Sequence, residues 1–162
     1  MGFFTWLEAT PFAEWMRVST YAYPFAITVH ALGMGIMTGM SWFIGMRILG
    51  RFRAIPLASL KPLFWVAWFG FLINFLSGGA LFTMQAASNY IHDIPYLTKM
   101  FFVVVGALSV GYLQSSMRRV GQTVGSDVAI PQPVRIVAGL IIFFWFAAIV
   151  AGRLIAYPQF FS

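Results

Sequence analysis

The chain has 162 residues, of which 60% are hydrophobic, 19% aromatic and only 9% charged, with a formal net charge of +6 and no cysteine. A soluble domain carries about 25% charged residues, so this composition cannot cover a globule with polar surface and predicts an integral membrane protein of one domain. Without cysteine there are no disulfides, thiolate metal sites or iron–sulfur clusters, and the basic residues gather in two connections, which assigns the positive charge to membrane topology rather than to nucleic acid.

The opening stretch GFFTWLEATPFAEWMR mixes large apolar residues with Glu8, Glu14 and Arg17. That pattern predicts a short helix lying in the membrane interface. It does not read as a cleaved leader, because the first long apolar run begins after both acids and shows no small-residue cleavage pattern. Four segments then reach the roughly 20 apolar residues needed to cross a bilayer: residues 22–46, 62–87, 98–117 and 136–154. The stretch GQTVGSDVAIPQPV before the last of them is polar and rich in Gly and Pro, and reads as a loop. The expected fold is an all-α, four-helix up-down bundle with a short N-terminal interfacial helix.

Arg47, Arg51, Arg53 and Lys61 lie between the first two spans, and Arg118, Arg119 and Arg135 between the last two. The other side has Arg17, Lys99 and Arg153, among Glu8, Glu14 and Asp93. Seven bases against three predict that both basic connections are cytoplasmic and both termini periplasmic, in a bacterial inner membrane.

Small residues recur at spacing four in the first span, as Ala31, Gly35 and Gly39 and again as Ser41 and Gly45. The second span has a smooth patch at Ser77, Gly78, Gly79 and Ala80. Such lines let helix backbones approach closely in lipid. They serve contacts inside the bundle or between subunits, and spacing alone does not separate the two.

His30 is the one ionisable residue of the stretch AITVHALGMG, about eight residues from the outer end of its span, hence roughly 12 Å deep. Gln85, Lys99 and Arg153 bring one strongly polar residue from each other span to the same outer layer. An ionisable group at this depth is costly and normally faces the bundle interior or a polar cavity. Three readings follow. One is haem b, with His30 as axial ligand of the metal, Lys99 and Arg153 pairing the propionates, and Met84 or Met100 as candidate sixth ligand. His30 of a second subunit is another candidate, whereas His92 lies in the short outer loop SNYIHDIP, too shallow to serve. The second is a quinone or lipid headgroup site at the same residues. The third is packing, in which His30 bonds a backbone carbonyl or Asn74 and joins two helices, while Lys99 and Arg153 snorkel to the interface.

The remaining residues are weaker pointers. Asn74 is the deepest amide and suits an interhelical hydrogen bond. Trp42, Trp65, Trp68 and Trp145 suit packing or lipid contact. Met34, Met37 and Met40 lack the exposed loop or second motif of a copper site. No paired carboxylate, phosphate loop or nucleophile–base pair is present, and every acid lies in an interfacial or loop segment.

The segments STYAYPFAITVHALGMGIMTGMSWFIGMRILG, PYLTKMFFVVVGAL and IVAGRLIAYP resemble a family of small, uncharacterised four-helix bacterial membrane proteins known only as a domain of unknown function. The likeness covers nearly the whole chain and maps onto Tyr23, Pro24, His30, Arg47, Lys99, Gly152, Arg153 and Tyr157. Gly45 and Met46 stand where that family often has Asp before the Arg. The layout is similar, more loosely, to copper-resistance D membrane proteins and to four-helix protoporphyrinogen oxidases that carry haem b. Those resemblances imply haem b on His30, with the porphyrinogen oxidase reaction as one activity. Taken together, the sequence leads us to expect a haem b protein for electron transfer, a subunit of a larger respiratory or photosynthetic complex. The alternative is an accessory or scaffold subunit without a cofactor. Expected partners are the lipid bilayer and other membrane subunits or a second copy.

Overall fold

A computed structural model describes residues 2–86, 90–122, 130–155 and 157. Among them the elements are α1 (Phe3–Glu8), α2 (Pro11–Val18), α3 (Ala22–Ile48), a single 3-10 turn (Leu57–Ser59), α4 (Leu60–Thr83), α5 (Ile94–Gln122) and α6 (Gln132–Leu154). Four of these helices are long and apolar enough to cross a membrane. The protein is an all-α four-helix membrane bundle, because a spanning segment must satisfy its backbone polar groups internally.

Proline marks the start of every long helix. Pro24, Pro62, Pro95 and Pro133 all fall within the first three residues of α3, α4, α5 and α6. There the missing N–H has no intrahelical partner to lose, and the fixed φ favours the helix. Pro133 and Gln132 thus belong to α6, and α5 extends to Gln122, so the polar connection predicted between the last two spans is shorter than its composition suggests. Its middle, residues 123–129, lies outside the described residues.

The end of α3 follows from glycine. Gly50 takes a φ of 96°, its N–H bonds Arg47 O at 3.1 Å, and the Arg51 N–H bonds Met46 O at 3.0 Å. This pair of bonds closes the helix, and the left-handed φ suits Gly. Arg47 Nε then donates to Ile55 O, 2.6 Å away, pinning the connection back on the helix that precedes it.

The N-terminal segment is two short helices rather than one. Thr10 caps α2, accepting from the Ala13 N–H at 3.2 Å, and Pro11 occupies its first turn. Arg17 ties the parts together: it donates to Glu8 O at 2.8 Å, to Glu14 Oε2 at 2.9 Å and to Met84 O at 3.1 Å. Met16 packs with Ala22 and Ala26 and against Ala80, Leu81 and Met84. Phe3, Trp6, Phe12 and Trp15 face outward, as an interfacial segment's aromatics should.

The main core runs between α3, α4, α5 and α6, around Met37, Ile44, Phe64, Leu113, Ile141 and Trp145. Trp145 is only 1% exposed, and Gly106 opposite lies so near that a Cβ there would sit 3.1 Å from the indole. Helices α3 and α4 pack most closely, followed by α5 with α6. The small residues explain this. A Cβ on Gly33 would lie 2.7 Å from Asn74 N and 2.9 Å from Gly70 O, and one on Gly70 would lie 2.7 Å from Met37 N. Gly45 meets α6 in the same way, 2.7 Å from Ala138 O.

Candidate polar site at the end of the bundle where the first span begins

Four polar residues predicted near one depth divide into two groups. His30 and Lys99 meet: Lys99 Nζ lies 3.4 Å from His30 Nε2. Arg153 instead turns outward, with its guanidinium 5.6 Å from the centre of the Tyr157 ring and 3.4 Å from the phenol oxygen. Gln85 is exposed. Depth was therefore shared by all four, but only His30 and Lys99 share a face.

The imidazole is fixed from α4. His30 Nδ1 lies 3.0 Å from Asn74 O and 3.2 Å from Ser77 Oγ. A carbonyl only accepts, so Nδ1 carries the proton and donates to it, which leaves the Nε2 lone pair for donors. Asn74 Nδ2 stands 3.4 Å from that Nε2 and donates to His30 O at 2.9 Å. Ser77 in turn donates to Ile73 O at 2.6 Å. Gly78 completes the seat, since a Cβ there would lie 2.9 Å from His30 Cε1. Sequence reading named Asn74 and the small patch at Ser77 and Gly78 separately. Their spacing of three and four along α4 puts them on one face, and that spacing was the available signal that they address a single side chain.

Lys99 reaches His30 past α6. A Cβ on Gly152 would lie 3.3 Å from Lys99 Cδ and 3.4 Å from its Cε, so the glycine before Arg153 makes room for the lysine stem. The ion pair found among the described residues joins Arg17 to Glu14, and no carboxylate lies within ion-pair distance of Lys99 among them.

The haem expectation can be tested against this geometry. The donor chemistry suits a metal, because an imidazole anchored through Nδ1–H to a carbonyl presents Nε2 as ligand. The space does not suit a macrocycle. Lys99 and Asn74 both stand 3.4 Å from Nε2, and Gly78 closes over the ring. As the helices stand, haem does not fit at this nitrogen. Met84 packs in the cluster with Met16, Ala22 and Ala26, and Met100 is 37% exposed. His92 is exposed in the connection before α5.

Two polar contacts were not anticipated. Arg17 figures in the sequence as part of the interfacial helix and of the charge count, and Glu14 three residues earlier is the usual spacing for a helical ion pair. Trp68 Nε1 donates to Gln114 Oε1 at 3.0 Å across α4 and α5, a contact between residues 46 positions apart that no local pattern announces. Compared with family models, with curated proteins and with solved structures, the chain matches none.

Proposed function

We propose that this chain is an accessory subunit of a larger assembly in a bacterial inner membrane, with its His30 cluster serving as an internal lock rather than as a redox centre. One observation carries this reading. The small residues of α3 fall on two different faces. Gly33 and Gly45 are buried against α4 and α6, whereas a Cβ on Gly35 or Gly39 would meet nothing within 4 Å, and Ala31, one turn before Gly35, is also exposed. The Ala31–Gly35–Gly39 line is thus left open to the lipid, in the form that lets another helix approach closely. The polar groups that would otherwise mark a cofactor pocket are already satisfied by one another. The excess of basic residues at the two connections supports a cytoplasmic position for them, with both termini periplasmic.

The absence of cysteine makes the test simple. Gly35→Cys, oxidised in native membranes, should give one discrete cross-linked species, while a Cys at exposed Leu72 on α4 should not. Mass analysis then tells a second copy from another subunit. Absence of any species at Gly35 and its neighbours Ala31 and Gly39 would overturn the proposal.

The second reading is haem b at His30, for electron transfer or for porphyrinogen oxidation. It is favoured by the orientation of Nε2 and requires α5 to draw Lys99 away from α3. An absorption spectrum of the purified protein decides it: a Soret band present in the wild type and lost in His30→Ala would establish haem on that residue and displace the first reading.

A further inference from the structure

A cavity of about 580 Å³ lies at the opposite end of the bundle, between the start of α4 and the end of α5. Lys61 and Arg118 stand at its rim, Trp65 and Gln114 form its walls, and Phe64 and Met117 line it with apolar surface. On α4 the residues Lys61, Phe64, Trp65 and Trp68 repeat at the spacing of one helix face, and Arg118 and Gln114 do so on α5. Gln114 also accepts a hydrogen bond from Trp68 Nε1, which joins the two helices beside the cavity.

We propose that this groove binds an anionic phospholipid, with Lys61 and Arg118 holding the phosphate and the acyl chains running along the apolar wall. Three observations favour a lipid. Lys61 is the second residue of α4 and Arg118 lies near the end of α5, so both cations stand at the level where phosphates of a bilayer lie. The end of the bundle that carries them holds seven bases against one acid, Asp127, which lies outside the described residues. The groove is open at its side, and 60%-exposed Trp65 continues it towards lipid. An amphiphile with a charged head and apolar tail matches that sequence of surfaces, and basic pockets between spanning helices are suited to such head groups.

The test uses the full chain released from membranes, analysed by native mass spectrometry with phosphatidylglycerol or phosphatidylcholine added. The wild type should retain phosphatidylglycerol preferentially. Lys61→Gln with Arg118→Gln should weaken that retention roughly thirty-fold, the order expected for two basic groups lost at a membrane surface. Lys61→Arg with Arg118→Lys should preserve it. Arg51→Gln with Arg53→Gln, which remove the same charge from the same end but outside the groove, should change it little. Helicity measured on each variant keeps misfolding apart from lost binding. Equal loss in both charge-removed pairs, no preference over phosphatidylcholine, or displacement by inorganic phosphate alone would each overturn the proposal, the last by assigning the site to a soluble anion.

Discussion

His30 and Asn74 hold each other in both directions: the ring donates through Nδ1 to Asn74 O, and the Asn74 amide donates to His30 O. Two helices are thereby joined by side chains that each reach the other's backbone. Hydrogen bonds between spanning helices average only about 0.6 kcal/mol, because the separated helices find other partners, but two lost together expose two groups. Each bond ends on the other residue's backbone carbonyl, which a side-chain substitution keeps, so His30→Leu and Asn74→Leu should each destabilise the bundle by about 1–2 kcal/mol, and the double variant by nearly the sum. Unfolding in mixed micelles measures this. A double-variant loss far short of the sum would mean that the direct contact of Asn74 Nδ2 with His30 Nε2, rather than the two backbone bonds, joins the helices.

Much of this architecture was legible in the sequence, because lipid leaves a chain few choices. The four spans, the interfacial opening and the up-down order follow from apolar length and the positions of charge. The bounds shifted where local chemistry decides them: prolines set the starts of α5 and α6 earlier than hydropathy does, and Gly50 rather than the last apolar residue ends α3. The site was half legible. Hydropathy gives depth along the membrane normal, which placed His30, Lys99, Gln85 and Arg153 together. It gives no rotation about each helix axis, which is what separates Lys99, facing in, from Arg153, facing out. The rotation is fixed by close contacts at Gly33, Gly70, Gly45 and Gly152, and these depend on which helix lies opposite.

The two kinds of glycine on α3 should respond oppositely to the same change. An added methyl at Gly33 would press on the backbone of Asn74 and Gly70, which cannot swing aside as a side chain can. Gly33→Ala should therefore cost about 1–3 kcal/mol through separation of α3 from α4. Gly35→Ala and Gly39→Ala meet open space and should stay within about 0.5 kcal/mol of the wild type. Unfolding of the three isolated variants in one detergent makes the comparison, and a loss at Gly35 equal to that at Gly33 would show that α3 is rotated from the orientation described.

Gly152 gives a way to move Lys99 without altering it. Valine there would crowd Cδ and Cε of the lysine and push Nζ off His30 Nε2. The nitrogen resonances of the His30 ring report this directly. Gly152→Val should shift Nε2 as Lys99→Met does, and leave Nδ1, held by Asn74 O, nearly unchanged. If Nε2 is insensitive to both substitutions, Lys99 is not its donor.

The connection between α4 and α5 should loosen at alkaline pH because of Tyr90. Its ring stacks on Tyr96 at 5.0 Å and on Phe82 at 5.9 Å. Burial pushes its phenol above the ordinary value of 10.0, and Tyr23 and Asp93 add to the shift. The folded state therefore keeps its proton to a higher pH than the unfolded state. Below about 10 both states are protonated and the contribution to stability is intact; as pH rises past that value the unfolded chain ionises first and the fold loses stability. Tyr90→Phe keeps the stacking and removes the ionisable group, so its thermal stability in detergent should decline less steeply above pH 10 than that of the wild type. Parallel alkaline declines in the two proteins would place the sensitive group elsewhere.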